Sequence, residues 1–228
     1  MKALILCGGL GTRYNLDNRT TILKPLLKVD GISILERIIN LCIKQGVDEF
    51  ILLGGFKYNK LKKFSKKFKN LKIKTINTGL KTNTAGRLLK VRHLIDKNEN
   101  FLFTYGDSIA DLKLKKIVYN KKPNNYIMST FYYKIPYGAL KLTSDSLLKK
   151  IIEKKANVPI NAGFYILDES IFSYIKNYQE SFEKTTINKI IRKKKKNFKC
   201  IRLKNWFPLD TRHDQFLLDR YLKKSNHL

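Results

Sequence analysis

Glycine, arginine and lysine crowd together near the start of the chain, in CGGLGTRYNLDNRTTILKP at 7–25, directly after the apolar run MKALIL. A strand followed by GGLGTR places backbone N–H groups in a tight turn where phosphates can lie. Glycines permit positive φ and close approach there. No Gly-Lys-Ser/Thr ends the turn, as a Walker A loop requires, and the third glycine of the dinucleotide fingerprint is missing. Two cations mark the stretch instead. Arg13 can make forked contacts with phosphate oxygens. Lys24 is a point charge suited to a reacting phosphoryl group. Together they suit a polyphosphate. The plain alternative for each is a surface cation in a very basic protein.

Other chemistries find less support. Cys7, Cys42 and Cys200 stand far apart, without metal-ligand or CxxC spacing, and read as reduced thiols of a cytoplasmic protein. His93, His213 and His227 do not cluster, which argues against a zinc site. The formal charge of +29 invites a nucleic-acid partner. Arginine, however, is scarce among the 47 basic residues, and specific phosphate and base readers favour arginine. The excess of Lys, Asn, Ile, Phe and Tyr is what an AT-rich coding sequence gives, and a negatively charged small substrate fits the charge as well. No run of about 18 apolar residues predicts a membrane span, and the short apolar start is not a secretory signal.

The elements that must hold these residues alternate. KALILC (2–7), EFILLGG (49–55), LKIKTIN (71–77) and NFLFTYGD (100–107) read as strands. ISILERIINLCIKQG (32–46), YNKLKKFSKKFKN (58–70) and TAGRLLKVRHLI (84–95) read as helices, the first with Ile34, Leu35, Ile38, Ile39 and Cys42 on one face. Such alternation predicts a parallel sheet with helices on both faces. Past about residue 123 the texture changes. NYIMSTFYYK, GALKLTS and LLKKIIEK look extended and partly antiparallel, and INAGFYILD (160–168) is a further strand. Helices are expected at 169–178, at 185–196 and at the end in RHDQFLLDRYLKK, with FKCIRL as a strand between them. The lysine run 193–196 is expected to close a helix, where cations favour the dipole. The 228 residues, 43% hydrophobic, suffice for one domain over 1–228, with the change of texture separating a part at about 1–122 from a part at about 123–228.

GGLGTR…KP, FLFTYGDSIADL, EKK, INAGFYIL and PLDT occur in the order seen in sugar-1-phosphate nucleotidyltransferases, and the chain resembles that family from Lys2 to about Tyr221. NTGLKTNTAGRLLKV (77–91), FLFTYGDSIADL and YGAL followed by PLDTRHD resemble the glucose-1-phosphate cytidylyltransferase branch. The resemblance implies an α/β fold with a Rossmann-like, mostly parallel central sheet and a small antiparallel acceptor-binding subregion. It implies in-line attack of a phosphate oxygen on the α-phosphorus of an NTP, with pyrophosphate leaving. Catalysis is then positioning and charge neutralisation.

Carried over residue by residue, the resemblance gives Arg13 the departing phosphates and Lys24 the α-phosphate. Leu6, Gly8, Gly9, Gly11 and Thr12 line the nucleotide turn, and Thr82, Thr84, Gly86 and Arg87 lie near the base and sugar. Asp107 and Asp210 match Mg²⁺-binding carboxylates, a normal pair of hard ligands. Gly138, Glu153, Lys154 and Asn161 match acceptor-binding positions. Plain alternatives are a helix cap for Asp107, a surface turn for Asp210 and a structural amide for Asn161. The expected partners are an NTP, CTP favoured, and a phosphorylated small-molecule acceptor, with a homo-oligomer open. The expected product is a precursor for surface polysaccharide. GTP or UTP in place of CTP, and a non-catalytic regulator or nucleic-acid binder, are the competing readings.

Overall fold

The computed structural model describes residues 1–11, 14, 22–119, 121–135, 137–153 and 157–224. In chain order the strands are β1 (Lys2–Leu6), β2 (Lys28–Val29), β3 (Ile32–Ser33), β4 (Glu49–Gly54), β5 (Lys72–Asn77), β6 (Asn100–Tyr105) and β7 (Ser108–Ala110), then β8 (Asn125–Lys134), β9 (Ala139–Leu142), β10 (Leu148–Ile152), β11 (Asn157–Asp168), β12 (Asn197–Arg202) and β13 (Trp206–Pro208). The α-helices are α1 (Ile34–Lys44), α2 (Tyr58–Ser65), α3 (Thr84–Leu89), α4 (Leu114–Tyr119), α5 (Asn188–Lys193) and α6 (Arg212–Lys224).

KALIL forms β1 with every residue after Lys2 buried, because β4 flanks it on one side and β6 on the other. A strand covered on both faces needs a continuous apolar run. Seven strands make the main sheet in the order β12-β8-β11-β6-β1-β4-β5. Every pairing in it is parallel except the two made by β11. Alternation along β1 sends Ala3 and Ile5 to one core and Leu4 and Leu6 to the other. The first core is closed by apolar residues of α1, α2 and α6. The second is closed by α3, α5 and the turns between β11 and α5. The α/β reading with helices on both faces is what the structure shows. The hairpin β9–β10 stands off the main sheet as a two-stranded ribbon.

Some boundaries differ from expectation, for local reasons. The helix expected at 58–70 stops at Ser65, whose hydroxyl bonds back to the Lys62 carbonyl and competes with the helix ladder. The helix expected at 84–95 ends at Leu89 and resumes as a 3₁₀ turn, Arg92–Leu94. The segment 169–178 forms a 3₁₀ helix, Glu169–Tyr174, and 185–196 begins inside a π-helical turn, Phe182–Ile187. The lysine run does not simply close a helix. Lys194 takes φ +54° and ends α5, which lets Lys196 swing back and donate to both carboxylate oxygens of Asp168 at 2.9 Å.

Candidate active site

β1 hands on to β4 on one side, while β6 flanks it on the other, so the carboxyl ends of β1 and β6 open a crevice at the point where the strand order reverses. Open α/β sheets bind ligands at such switch points. A cleft lies there, bounded by Gly8, Gly9 and Gly11 from the turn after β1, by Lys24, and by Tyr105 and Asp107 after β6. Gly8 has no room for a side chain: a Cβ would stand 2.6 Å from the Gly55 nitrogen. Its carbonyl is pinned by the Phe56 N–H and by Arg87 Nη2, both at 3.1 Å. Gly11 adopts φ +63°, which favours glycine. Leu6 and Cys7 complete the wall. Burial raises the Cys7 thiol, with the Asp107 charge adding to the effect, which disfavours the thiolate.

Lys24 is 7% exposed. Its ammonium donates to Asp210 Oδ1 at 2.6 Å and to Asp107 Oδ2 at 3.1 Å. Those carboxylates lie 103 positions apart in sequence, and one small ribbon joins them. β7 begins just after Asp107 and β13 ends just before Asp210, and the two pair antiparallel with Ser108 opposite Pro208. The Leu209 N–H closes the junction on the Asp107 carbonyl at 2.9 Å. Asp210 is then held from behind: Asp214 accepts from the N–H groups of Asp210 and Thr211, and the Thr211 hydroxyl accepts from the Asp214 N–H. This is a capping box at the start of α6. Two carboxylate oxygens turned onto one cation suit a hard divalent ion as well as an ammonium. No group of three or more His, Cys, Asp or Glu able to hold a metal occurs among the described residues.

Beside the glycine turn, the residues expected near a nucleotide take different parts. Arg87 is buried and spends its guanidinium on the Gly8 and Gly54 carbonyls and the Thr78 hydroxyl. Thr82 donates to the Thr78 carbonyl. The Thr84 hydroxyl donates to Glu183 Oε2 at 3.0 Å and accepts from the Phe182 N–H at 2.8 Å. Gly86 packs against chain rather than cleft, since a Cβ there would stand 2.1 Å from the Tyr178 carbonyl oxygen. Thr82, Thr84 and Arg87 still line a second opening that continues the cleft past Gly9 and Gly11 to Leu80 and Gln179.

Across Asp107 lies a third opening, bounded by Tyr105, Asn161, Gly163, Trp206 and Asp210. Asn161 is fixed by the Gly163 N–H, at 3.0 Å, and by the Tyr165 hydroxyl. Gly138 and Glu153 stay together but elsewhere. They face each other across the base of the β9–β10 hairpin, with Glu153 Oε1 2.7 Å from where a Gly138 Cβ would be. Neither lines the openings beside Asp107. Thr12, Arg13 and Lys154 lie outside the described residues.

Two residues not foreseen shape the centre. Tyr105 borders both openings beside Asp107. Its ring stacks against Gly163, which at φ +80° leaves no space for a Cβ, and its hydroxyl donates to Glu183. Glu183 also accepts from Ser181. Burial pushes its carboxyl upward, opposed by its hydrogen bonds to backbone and to Thr84. Tyr105 stood beside Asp107 in FTYGD. Nothing in SFEKTT marked Glu183.

Comparison with known proteins adds three kinds of likeness. The family model described as nucleotidyl transferase matches residues 2–214. A Bacillus subtilis (strain 168) protein named "Probable glucose-1-phosphate cytidylyltransferase" is 32% identical over 199 residues, 77% of this chain and 78% of that one. The D-glycero-alpha-D-manno-heptose 1-phosphate guanylyltransferase of Campylobacter jejuni subsp. jejuni serotype O:2 is 31% identical over 176 residues, 76% of this chain and 78% of that one. Among solved structures, HddC from Yersinia pseudotuberculosis complexed with GMP-PN superposes with a TM-score of 0.76 at 24% identity, covering 97% of this chain and 99% of that one.

Proposed function

The chain belongs to the nucleotidyl transferase family, and we propose that it transfers a nucleoside monophosphate, cytidylyl by preference, from an NTP to a sugar 1-phosphate or a related phosphorylated acceptor. The observation that carries this reading is the convergence of Lys24, Asp107 and Asp210 where the openings on either side of Asp107 meet. A non-bridging oxygen of the acceptor phosphate attacks the α-phosphorus. That O–P bond forms, the bond to the bridging α–β oxygen breaks, and pyrophosphate carries away the electron pair. No covalent enzyme intermediate is required.

The protein's part is to hold charge and line. The glycine turn offers backbone to the triphosphate. Lys24, drawn from the carboxylates to the α-phosphate, meets the charge that grows in the transition state. Arg13 is assigned to the departing phosphates. Asp107 and Asp210 would hold Mg²⁺, which when bound neutralises phosphate charge. Asn161 and the wall of Tyr105 border the acceptor side, with Lys154 assigned to the acceptor phosphate. The product suits an activated precursor for surface polysaccharide, made in the cytoplasm. No helix of the described residues is long and apolar enough to cross a membrane.

A pyrophosphate-release screen crossing four NTPs with a panel of phosphorylated acceptors tests the reading. CTP with a sugar 1-phosphate is expected to give the highest rate. The guanylyltransferase relative supports GTP as the second reading. No release with any pair would remove the activity.

A further inference from the structure

Helix α3 is joined at its N-terminus by a distant piece of backbone. The Asn83 N–H donates to the Tyr178 carbonyl at 3.0 Å, and the Ala85 N–H donates to the Glu180 carbonyl at 3.1 Å. Asn83 Nδ2 reaches the Gln179 carbonyl at 3.3 Å. Gly86 admits this approach, because any side chain there would strike the Tyr178 carbonyl. Lys90 sits over the Tyr178 ring at 5.0 Å, and the Gln179 N–H donates to Asn177 Oδ1 at 2.9 Å. Residues 178–180 are thus fixed on both sides of Gln179, which is exposed and borders the opening that extends the nucleotide cleft.

The other polar side chains around that opening have commitments. Thr82, Thr84 and Arg87 donate to protein acceptors, and both ends of the Asn83 amide are engaged. Lys81 offers donors only. Among the described lining residues, Gln179 is the one side chain whose donor and acceptor are both uncommitted. A base is read by groups that match the donors and acceptors of its edge, and a hydrogen bond to that edge discriminates more strongly than apolar contact.

We propose that Gln179 is the base-contacting specificity residue of this enzyme, presented over the cleft by the clamp of residues 178–180 on α3. This rests on the nucleotidyl-transfer reading. A primary amide can pair with cytosine, donating to N3 and accepting from the exocyclic amine. A carboxylate in its place offers acceptors alone, and guanine presents two adjacent donors, N1–H and the exocyclic amine. Gln179→Glu should therefore move preference from cytosine toward guanine.

Calorimetric titration of the full chain with CTP, GTP and inorganic tripolyphosphate, without acceptor, tests this apart from any turnover. Gln179→Ala should weaken CTP about tenfold and leave tripolyphosphate within twofold. Gln179→Glu should shift the CTP-to-GTP affinity ratio at least tenfold toward GTP. An unchanged ratio in both variants would overturn the proposal. So would an equal loss of nucleotide and tripolyphosphate, which would mark Gln179 as merely structural. Absence of pyrophosphate release from the wild type with every acceptor, with these binding shifts intact, would count against the transfer reading instead.

Discussion

Lys24→Met should make the protein bind a divalent cation more tightly before nucleotide arrives. The ammonium lies 2.6 Å from Asp210 and 3.1 Å from Asp107, between the same carboxylates that are assigned to the metal. At about 3 Å, one such attraction is worth about 1.4 kcal/mol at the dielectric of water and about four times that at an effective dielectric near 20. The carboxylate side chains are 35% and 29% exposed, so solvent screening favours the lower end. Two contacts, less the cost of holding the side chain, leave about 2 kcal/mol. An incoming ion must forfeit that to displace Lys24, roughly a thirtyfold penalty on affinity. Methionine keeps most of the stem's packing and removes the competitor. Titration of Mn²⁺, with the free ion followed by electron paramagnetic resonance, should show tighter binding in Lys24→Met without nucleotide. Adding CTP should tighten Mn²⁺ binding more in the wild type than in the variant, because phosphate draws Lys24 away only where Lys24 exists. Equal or weaker Mn²⁺ binding by Lys24→Met would refute the competition.

Asp107→Asn and Asp210→Asn should each lower turnover about a hundredfold while thermal unfolding stays close to wild type, since both groups are partly exposed; normal turnover in both would remove the two-carboxylate site. Gly86→Ala should destabilise by about 1–3 kcal/mol, read from denaturant midpoints, because a backbone carbonyl stands in the way of the new methyl. Asp168 is pushed upward by burial, but Ser170, Lys196 and Lys121 overcome this and hold its pKa below the ordinary carboxylate value. Its contribution to stability is therefore present above about pH 4 and lost as pH falls through the folded value. Asp168→Asn should remove that acid-limb dependence and cost about 3 kcal/mol at neutral pH by leaving two shielded ammoniums unpaired; an unchanged urea midpoint across pH 3–7 would contradict it. Lys196→Ala should share part of that loss, whereas alanine at the exposed Lys195 should not.

Much of this arrangement was legible because it is local. The run KALIL could only be a strand buried on both faces, and Ile34, Leu35, Ile38, Ile39 and Cys42 repeat at helical spacing; all five are buried. Gly8 and Gly11 sit where a turn after a strand needs them. What spacing could not disclose was pairing. Nothing in INAGFYILD says that β11 runs antiparallel between β6 and β8. Nothing in a run of four lysines says that the fourth will chelate a carboxylate 28 residues earlier. A charge run reads as solvated surface until a partner is known, and partners are a property of the sheet order.

The stretch TNTAGR (82–87) shows how residues expected near a ligand can be occupied by protein. Thr82, Thr84 and Arg87 do line the opening beside the glycine turn, yet their hydrogen bonds run backwards into the protein. Arg87 braces the Gly8 carbonyl, Thr84 ties down Glu183 and through it the Tyr105 ring, and Gly86 makes room for the Tyr178 carbonyl. Each acts on a segment that lies about 80 to 100 positions away in sequence, or on the glycine turn. A side chain that spends most of its donors on protein has little left for a ligand. The parts that such bracing presents to a substrate are the glycine turn itself, Gln179, and the cluster of Lys24 with its two carboxylates. That division also predicts how damage should spread. Changes to the bracing residues should lower stability and activity together, while changes to the presented residues should alter ligand preference or rate with the fold retained.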